Sequence, residues 1–337
     1  MKICYFVPSL RSSGPTNQLL YLLEENSNKA DCELIYLSSN NISEFHFNEI
    51  QNLNIKITQL SFFKALKFLN TNRFDIIHSQ GLLTDLISTF QLKSKSILTS
   101  RNNPFKDYPA KFGFTKGIIM ALTHWLIQFL NCNVVACSFA LGNDLKKIGI
   151  NNCTIQNGTR VPSLNSEKFK LISNVKGIST GNLIPRKNYE YMFKLLSFLP
   201  SKNLDIYGAS NNNVKKYPSN VTLKGYNNKV INLYSNYDYF ISTSLSEGLP
   251  NSVLEAAMFG LPLILSNITP HIEIIDVLPN CLLIDLNKDA KYNSSLISDY
   301  LKSIEVKNRK EIALKAKHFF SKEKMAENYY KLYESKL

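Results

Sequence analysis

Short apolar runs rich in β-branched and aromatic residues alternate with helical patterns along the chain. In the first half the runs are KICYFVP, CELIYLS, FDIIHS, SILTS and NVVACS, and helical patterns such as NQLLYLLEEN and DLISTFQLK lie between some of them. A second series, after Pro162, comprises VKGIST, LDIYG, VTLKGY, YDYFIST, LPLILS and the weaker LLID. This alternation is typical of βαβ units in a parallel sheet. The pattern therefore predicts an α/β protein with two such sheets.

A cluster of turn-forming residues, TIQNGTRVPSLNSEKF, separates the two series. We place the boundary between two domains within residues 160–168. Residues 1–162 are then predicted to form an N-terminal Rossmann-like domain, and residues 163–320 a C-terminal one. The tail is helical by pattern, with Ser321 as an N-cap between two segments. We expect the helix of residues 321–337 to pack back on the N-terminal domain.

Length and composition fit this organisation. The 337 residues are enough for two domains, each able to bury its own core. With 44% hydrophobic and 19% charged residues, the composition is that of a globular protein and excludes a disordered or fibrous class. The net charge of +13 is spread over both halves without an arginine-rich block, which argues against nucleic-acid binding. Two interpretations stay open: a surface that meets anionic lipid or phosphorylated ligands, or lysines that only keep the protein soluble.

The cysteines and the apolar segments bear on the compartment. The six cysteines include no C-x-x-C pair and no zinc-site spacing, as expected of core residues in a reducing compartment. The N-terminal MKICYFVPSL lacks the features of a signal peptide and is interpreted as a first strand. The longest apolar stretch, residues 117–130, is too short to cross a bilayer. We expect a cytoplasmic protein that contacts the inner face of the plasma membrane at Lys106, Lys111 and Lys116, with residues 117–130 as a core helix.

The most informative segment is DYFISTSLSEGLPNSVLEAAMFGLPLILS, which predicts a strand, a loop, a helix and a next strand. Asn251 or Ser252 would cap the helix and Gly260 would close it. Ligands of such sheets bind at the carboxyl ends of the strands, beside helix N-termini. The backbone N–H groups of this loop, around Gly248 and Leu249, therefore suit a diphosphate without a metal ion.

Two glutamates of this segment have the spacing E-x7-E, with Glu247 in the loop and Glu255 inside the helix. This spacing would let both carboxylates face one pocket from different depths. Carboxylates only accept hydrogen bonds and therefore suit the hydroxyls of a sugar and a ribose. Either glutamate alone would fit a solvated surface charge, but the strand–loop–helix context favours a binding role.

The segment from Glu247 to Pro262 resembles a known family motif. It is similar to the E-G-x-P…E-A-[MA]-A-x-G-x-P block of the retaining glycosyltransferases of family four, the glycosyl transferases group 1, of the bacterial surface-polysaccharide type. The resemblance extends in order over nearly the whole chain, through the Gly14 loop, VVACS, IQNG, STGNLIPRKN, DIYG, LKGY and the C-terminal helices. It implies the GT-B fold, an α/β architecture of two doubly wound Rossmann-like domains facing a cleft.

The cations Arg186 and Lys187 end a loop after KGIST and open a helix. At such a position both can meet a diphosphate at a helix N-terminus, and a solvent-exposed dibasic pair is the alternative. The resemblance makes Lys187 the pyrophosphate lysine and Arg186 its companion, and it places Tyr226 in the donor site. Many relatives carry an arginine directly after the glycine, where this chain has Asn182, so Arg186 is expected to take over that charge.

Loops of the N-terminal domain offer further candidates. Gly14, after the first strand, would let the backbone approach a phosphate closely, although Gly14-Pro15 replaces the commoner Gly-Gly and a simple tight turn is the alternative. Relatives often place a histidine that touches the donor sugar after the strand SILTS, where this chain has Arg101 and Asn102. These two residues are candidates for sugar or acceptor contact, with a structural loop as the alternative. His78, at the end of FDIIHS, is a third candidate.

The predicted activity is transfer of a hexosyl unit from a nucleoside-diphosphate sugar, with a UDP-sugar favoured, to a carbohydrate or polyprenyl-diphosphate-linked acceptor. The resemblance implies retention of anomeric configuration, with Glu247, Arg186 and Lys187 as catalytic residues. It also implies that Glu255 binds the ribose and Glu247 the hexose. Because no D-x-D motif is present, we expect neither a metal nor another cofactor, and the two cations meet the charge on the leaving diphosphate.

Two other functions stay open from the sequence. A nucleotide-sugar 2-epimerase shares the two-domain architecture, but it needs further carboxylates and histidines that the sequence does not place in a cleft. A non-catalytic, two-lobed sugar-binding protein would normally carry a secretory signal. Neither alternative accounts for the ordered motifs as directly as a glycosyltransferase.

Overall fold

The chain divides into two compact units. The structure, a computed structural model, describes residues 1–91, 93–162, 175–209, 216–227 and 230–337. The first unit comprises Met1–Gly158 and Lys322–Leu337, and the second comprises Thr159–Ser321. Thr159 forms a parallel β-bridge with Ser321 inside the second unit. The first segment of the chain thus ends four residues before the predicted position 162, and residues 163–168 of the predicted seam lie outside the described residues.

The first unit is built on a parallel sheet. Its strands are β1 Lys2–Ser9, β2 Asp31–Ser38, β3 Lys56–Gln59, β4 Ile76–Ser79, β5 Lys95–Ser100, β6 Val134–Ala136 and β7 Asn152–Thr154. They lie in the order β3-β2-β1-β4-β5-β6-β7. The helices of this part are α1 Gly14–Asn26, α2 Glu44–Gln51, α3 Phe62–Thr71, α4 Leu82–Thr89, α5 Pro104–Phe112, α6 Phe114–Leu130 and α7 Phe139–Lys147.

The second unit repeats this architecture. Its strands are β8 Lys176–Thr180, β9 Asn203–Tyr207, β10 Val221–Gly225, β11 Tyr239–Ser242, β12 Leu263–Ser266 and β13 Leu282–Ile284. They form a parallel sheet in the order β10-β9-β8-β11-β12-β13. The helices are α8 Tyr189–Ser197, α9 Asn251–Met258, α10 Thr269–Ile275, α11 Ala290–Ser303 and α12 Val306–Phe320. The last helix, α13 Lys322–Glu334, returns to the first unit.

Both sheets reverse their strand order beside their first strand, which is β1 in one unit and β8 in the other. Such reversals leave a crevice at the carboxyl ends of the central strands, where doubly wound folds bind ligands. The predicted α/β fold of two doubly wound parallel sheets is therefore confirmed. The sequence pattern missed β3 (KITQ) and β7 (NCT), because three or four largely polar residues carry no apolar run.

The C-terminal helix α13 completes the core of the first unit. Its Met325, Ala326, Tyr329 and Tyr333 are buried among residues of β1, β2 and α1. Burying side chains of this size stabilises a fold by about 1.5–3 kcal/mol each. The hydroxyl groups of the two tyrosines also have buried partners: that of Tyr329 lies 2.9 Å from the Thr99 hydroxyl, and that of Tyr333 lies 2.6 Å from Nδ1 of His78.

The helices α5 and α6 approach each other closely at Gly117. A Cβ atom at this position would lie 2.4 Å from the Cα atom of Pro109 in α5. Real Cβ atoms do not come so near to backbone, so only glycine permits this packing. The α5–α6 pair matters for function because both helices line a cavity of the first unit.

Gly117→Ala should lower the midpoint of thermal unfolding, because the added methyl group must push α5 away from α6. Overpacking of this kind costs about 1–3 kcal/mol, although alanine favours a helix by about 1 kcal/mol over glycine. Thr115→Ala, at an exposed position of the same helix, is the matched control and should be neutral or slightly stabilising. Calorimetry that finds the Gly117→Ala protein as stable as the control would contradict the close packing.

Candidate functional site

Two loops meet at the carboxyl edge of the second sheet. One loop follows β11 and leads into α9, and the other follows β8 and contains Arg186 and Lys187. The N–H of Leu245 donates a hydrogen bond of 2.8 Å to the carbonyl of Arg186. The hydroxyl of Thr243 donates to the carbonyls of Asn188 (2.9 Å) and Lys187 (3.2 Å). Segments that are sixty residues apart in sequence are therefore held together before any ligand binds.

Glu247 lies between two cations at this edge. The Nζ atom of Lys187 is 2.8 Å from one carboxylate oxygen, and the guanidinium of Arg186 donates a short hydrogen bond to the other. Burial alone would raise the pKa of Glu247, but the charges and hydrogen bonds of Lys187 and Arg186 lower it to about 2. The carboxylate is therefore ionised at any physiological pH, and the three side chains carry a net charge of about +1.

Backbone geometry at Gly181 makes room for Lys187. Gly181 has a φ of +145°, and a Cβ atom there would lie 2.9 Å from the Cε atom of Lys187. Gly208, in the next loop, approaches the Gly181 carbonyl so closely that a Cβ atom would lie 2.0 Å from its oxygen. The hydroxyl of Tyr189 donates to the same carbonyl at 2.8 Å. The loop that carries the STGN motif is thus fixed beneath the lysine.

Glu255 occupies a different environment from Glu247. It lies on α9 and is buried, with 7% of its surface exposed. The hydroxyl of Tyr234 donates to its carboxylate at 3.2 Å and lies 2.9 Å from the Thr180 hydroxyl. Burial raises the pKa of Glu255 to about 7, against a small opposing effect of the Tyr234 hydrogen bond. The pKa values of the two glutamates of the motif are therefore shifted in opposite directions, downward for Glu247 and upward for Glu255.

Of the remaining residues predicted for the donor site, Gly14 belongs to the first unit, and the others lie on the same edge of the second unit. Gly248 and Leu249 are buried in the loop before α9. The helix begins at Asn251 with Pro250 at the N-cap, one position before the predicted cap Asn251 and two before its alternative Ser252. Tyr226 directly follows β10 and is exposed. The N-terminus of α9 thus stands at the carboxyl end of β11, where the positive end of the helix dipole favours an anion.

His271, which sequence patterns did not single out, lies close to this cluster. It is buried on α10, and burial lowers its pKa to about 4, while the charge of Glu247 raises it and that of Lys187 lowers it further. Its Nδ1 atom lies 2.9 Å from the Ser266 carbonyl, and its Nε2 atom has no hydrogen-bond partner among the described residues. A sequence signal existed in its position, five residues after the carboxyl end of β12, in the first turn of the helix that follows.

The first unit has a cavity of about 430 Å³ at its own carboxyl edge. The N-terminal ends of three helices line it: Ser13 before α1, Gly81 and Leu82 at the start of α4, and Pro104 at the start of α5. Arg101 and Asn102 also line it, whereas Gly14 opens α1 between the lining residues Ser13 and Pro15. Three helix N-termini around one cavity favour a negatively charged ligand.

Arg101 is held in place by neutral groups. Its guanidinium donates to the side-chain oxygens of Gln80 (3.1 Å) and Asn157 (2.7 Å). Neither partner is a carboxylate, so neither neutralises the charge of the guanidinium. With Arg11 and Lys111, Arg101 gives the cavity three cations against the carboxylate of Asp107.

His78 does not contact this cavity as a sugar ligand would. It is 4% exposed, its Nδ1 atom lies 2.6 Å from the Tyr333 hydroxyl, and its Nε2 atom lies 2.7 Å from the Thr99 hydroxyl. Burial and the charge of Arg101 lower its pKa to about 3, so the ring is neutral. Because both ring nitrogens already have partners, the structure makes His78 a core residue rather than the expected substrate contact.

A buried histidine–carboxylate pair lies beneath the cavity instead. The Nε2 atom of His124 is 2.8 Å from a carboxylate oxygen of Asp85, and its Nδ1 atom is 2.9 Å from the Tyr108 hydroxyl. The Ser79 hydroxyl donates to the other oxygen of Asp85 at 2.6 Å. Tyr108 and His124 line the cavity, and burial with nearby Asp85 raises the pKa of Tyr108. Sequence patterns missed this pair because its members are 39 residues apart.

Two further kinds of feature, a cluster of metal ligands and a membrane-spanning helix, are absent from the described residues. No three histidine, cysteine, aspartate or glutamate side chains converge as metal ligands within the described part of the chain. Of the helices that the structure describes, none combines the length and the apolar character needed to span a membrane.

Comparison with known proteins connects this geometry to a family. Residues 173–319 match the family model of the glycosyl transferases group 1, and this range contains Arg186, Lys187, Glu247 and Glu255. The chain is 28% identical to the O-antigen biosynthesis glycosyltransferase WclY of Escherichia coli, over 99% of this chain and 98% of that protein. It is 24% identical to the UDP-Gal:alpha-D-GlcNAc-diphosphoundecaprenol alpha-1,3-galactosyltransferase of Escherichia coli, over 73% and 72% of the two chains.

The fold is also that of solved structures. The chain resembles Anabaena Alr3699/HepE, crystallised in complex with UDP and glucose, with a TM-score of 0.77 and 14% identity over 99% of this chain and 100% of that one. At this identity the likeness concerns the fold. The chain is therefore a glycosyltransferase of the GT-B fold, and residues 173–319 of its second unit match the glycosyl transferases group 1.

Proposed function

We propose that this glycosyltransferase moves a hexose from a UDP-sugar to a hydroxyl of a lipid-linked oligosaccharide, with retention and without a metal ion or other cofactor. The observation that carries the donor half is the cluster of Arg186, Lys187 and Glu247 beside the N-terminus of α9. Two similar proteins support the choice of substrates. One is named for UDP-Gal and a diphosphoundecaprenol-linked acceptor, and the other was crystallised with UDP.

The donor diphosphate displaces the Glu247 carboxylate from part of its contacts with Arg186 and Lys187. In the free protein both carboxylate oxygens are engaged by Lys187 and Arg186. A diphosphate brings two further negative charges to cations that keep a net charge of about +1, and it gains the N–H groups of the loop at Gly248. The carboxylate oxygens that the cations release then accept hydrogen bonds from sugar hydroxyls.

Charge that develops on the leaving diphosphate is met by the same two cations. They are ordered before reaction by Glu247, so their stabilisation requires little reorganisation in the transition state. Retention follows in this proposal from attack on the same face of the sugar that the diphosphate leaves. The departing phosphate oxygen accepts the proton of the acceptor hydroxyl, and no protein carboxylate is needed as a nucleophile.

Glu255 binds the ribose of the donor in this proposal. Ribose hydroxyls donate hydrogen bonds, which favour the ionised form of a carboxylate and offset the burial that raises its pKa to about 7. The acceptor enters the cavity of the first unit, where Arg101, Arg11 and Lys111 suit the phosphates of a lipid-linked glycan. The protein thus works at the cytoplasmic face of an anionic membrane, in the assembly of a polysaccharide such as an O-antigen or capsule.

Donor identity and metal independence are tested by thermal shift with UDP-glucose, GDP-mannose and ADP-glucose in buffer containing EDTA. A UDP-sugar at one hundred times its Kd should stabilise the fold by about 2.7 kcal/mol. Turnover should survive EDTA as well, because side-chain cations do the work of a metal. Stabilisation or turnover that disappears on chelation and returns with Mg²⁺ or Mn²⁺ would contradict the proposal.

The two glutamates should respond to glutamine substitution with opposite effects on stability. Glu247→Gln leaves Arg186 and Lys187 without their buried counter-charge and should cost about 3 kcal/mol at pH 8. The ionised Glu247 stabilises the fold above its unfolded pKa, and this contribution is lost as pH falls towards about 2. The pH dependence of Glu255 is the reverse. Its contribution to the free energy of unfolding is fully present below its unfolded pKa and is lost as pH rises through about 7. Glu255→Gln should therefore raise Tm at pH 8 and leave it nearly unchanged at pH 5.

Kinetics of the same two variants form the second readout. Glu255→Gln weakens ribose binding in ground and transition states alike, so the donor KM should rise more than kcat falls. Glu247→Gln affects groups that act on the transition state, so kcat should fall first. Wild-type values of both constants in both variants, measured by UDP release, would remove the assignment of these residues.

A further inference from the structure

The helix α6 turns its large apolar side chains outward. Its buried face consists mainly of small or polar residues, namely Gly117, Ala121, His124, Ile127 and Gln128. Its exposed positions recur every three or four residues and share one face of the helix. They are Ile119, Leu122, Leu126, Phe129 and Leu130. The expectation that residues 117–130 form a core helix is therefore wrong for half of the helix surface.

Two phenylalanines extend this face at the start of the helix. Phe114 is 78% exposed and Phe112, at the end of α5, is 46% exposed. Several large apolar side chains exposed on one helix and its N-terminal flank are typical of a surface that binds a partner. We call these two residues, the five outward residues of α6, Lys111 and Lys116 the α6 surface.

The charges of the α6 surface are of one sign. Lys111 and Lys116 are both exposed, and no acidic residue occurs between residues 108 and 143. Lys111 pairs with Asp107 at 2.7 Å, and the ammonium of Lys116 lies 5.7 Å from the centre of the Phe112 ring. Because Asp107 compensates Lys111, Lys116 supplies the net positive charge at this apolar helix face, and the combination matches the interface of an anionic bilayer.

A second copy of the chain fits this surface less well. In a twofold pair a patch meets itself, so the lysines of one copy would face the same apolar and basic patch of the other. Anionic lipid supplies both of the missing components, an apolar layer and negative head groups.

We infer that the α6 surface docks on an anionic lipid bilayer, with its apolar side chains at the level of the acyl chains and its two lysines among the head groups. The purpose of the contact rests on the proposed lipid-linked acceptor, whereas the surface stands on its own exposure and charge. Lys111 and Phe112 belong both to this surface and to the lining of the 430 Å³ cavity. The hydrocarbon of an acceptor held in the cavity would thus lie beside the membrane-facing residues.

Vesicle co-sedimentation of the full chain tests the inference. Wild-type protein should bind vesicles that contain phosphatidylglycerol more strongly than vesicles of phosphatidylcholine alone. Part of the binding should persist at 0.5 M NaCl, because inserted apolar side chains are not screened by salt. The double variant Leu122→Gln, Leu126→Gln should lower the partition coefficient by about tenfold or more, since each buried leucine is worth about that factor.

Phe63→Gln is the matched control. Phe63 is 79% exposed on α3 of the same unit, outside the α6 surface, so its loss should leave vesicle binding unchanged. The double variant and the control should both keep the Tm and the UDP-glucose affinity of the wild type. This separates a failure of docking from a failure of the proposed function.

Three results would overturn the inference. Wild-type protein that binds neither kind of vesicle has no such surface. Equal binding by wild type and the double variant places the contact elsewhere. A wild-type dimer that the double variant breaks, without vesicle binding, assigns the α6 surface to self-association.

Discussion

The buried carboxylate of Glu247 is the charge on which the carboxyl edge of the second sheet depends. It draws Arg186 and Lys187 into one place. The loop that carries them also accepts hydrogen bonds, at its backbone carbonyls, from the Thr243 hydroxyl and the Leu245 N–H. Removing the charge of Glu247 would leave both cations without their counter-charge. The loops around β8 and β11 are therefore arranged for an anion before the anion arrives.

The helix α9 carries a second carboxylate, Glu255, whose pKa is shifted in the opposite direction from that of Glu247. Among the described residues no cation pairs with Glu255, and burial raises its pKa to about 7, whereas Glu247 eight residues earlier stays ionised to about pH 2. A carboxylate that is costly to ionise in the free protein gains most from a ligand that donates hydrogen bonds. The same motif thus combines a group that orders cations with a group suited to hydroxyls.

Much of this arrangement is visible in the sequence, and the rest depends on contacts between distant segments. The segment around Glu247 predicted its strand, loop and helix because strand and helix periodicities meet at turn residues there. It carried no sign that the carboxylate pairs with cations sixty residues away, or that His124 meets Asp85. Residues 117–130 are apolar nearly all round, so periodicity could not tell which side of α6 faces outward. His78 looked accessible because it ends a strand, but Tyr333 of the distant α13 covers it.

A crystal structure of the protein bound to UDP tests the central claim most directly. The account predicts diphosphate oxygens within hydrogen-bond distance of the Lys187 ammonium and the Arg186 guanidinium, at the N-terminus of α9, with at least one Glu247 ion pair lengthened or lost. A UDP molecule that binds elsewhere, while Arg186 and Lys187 keep Glu247 as their only charged partner, would contradict it.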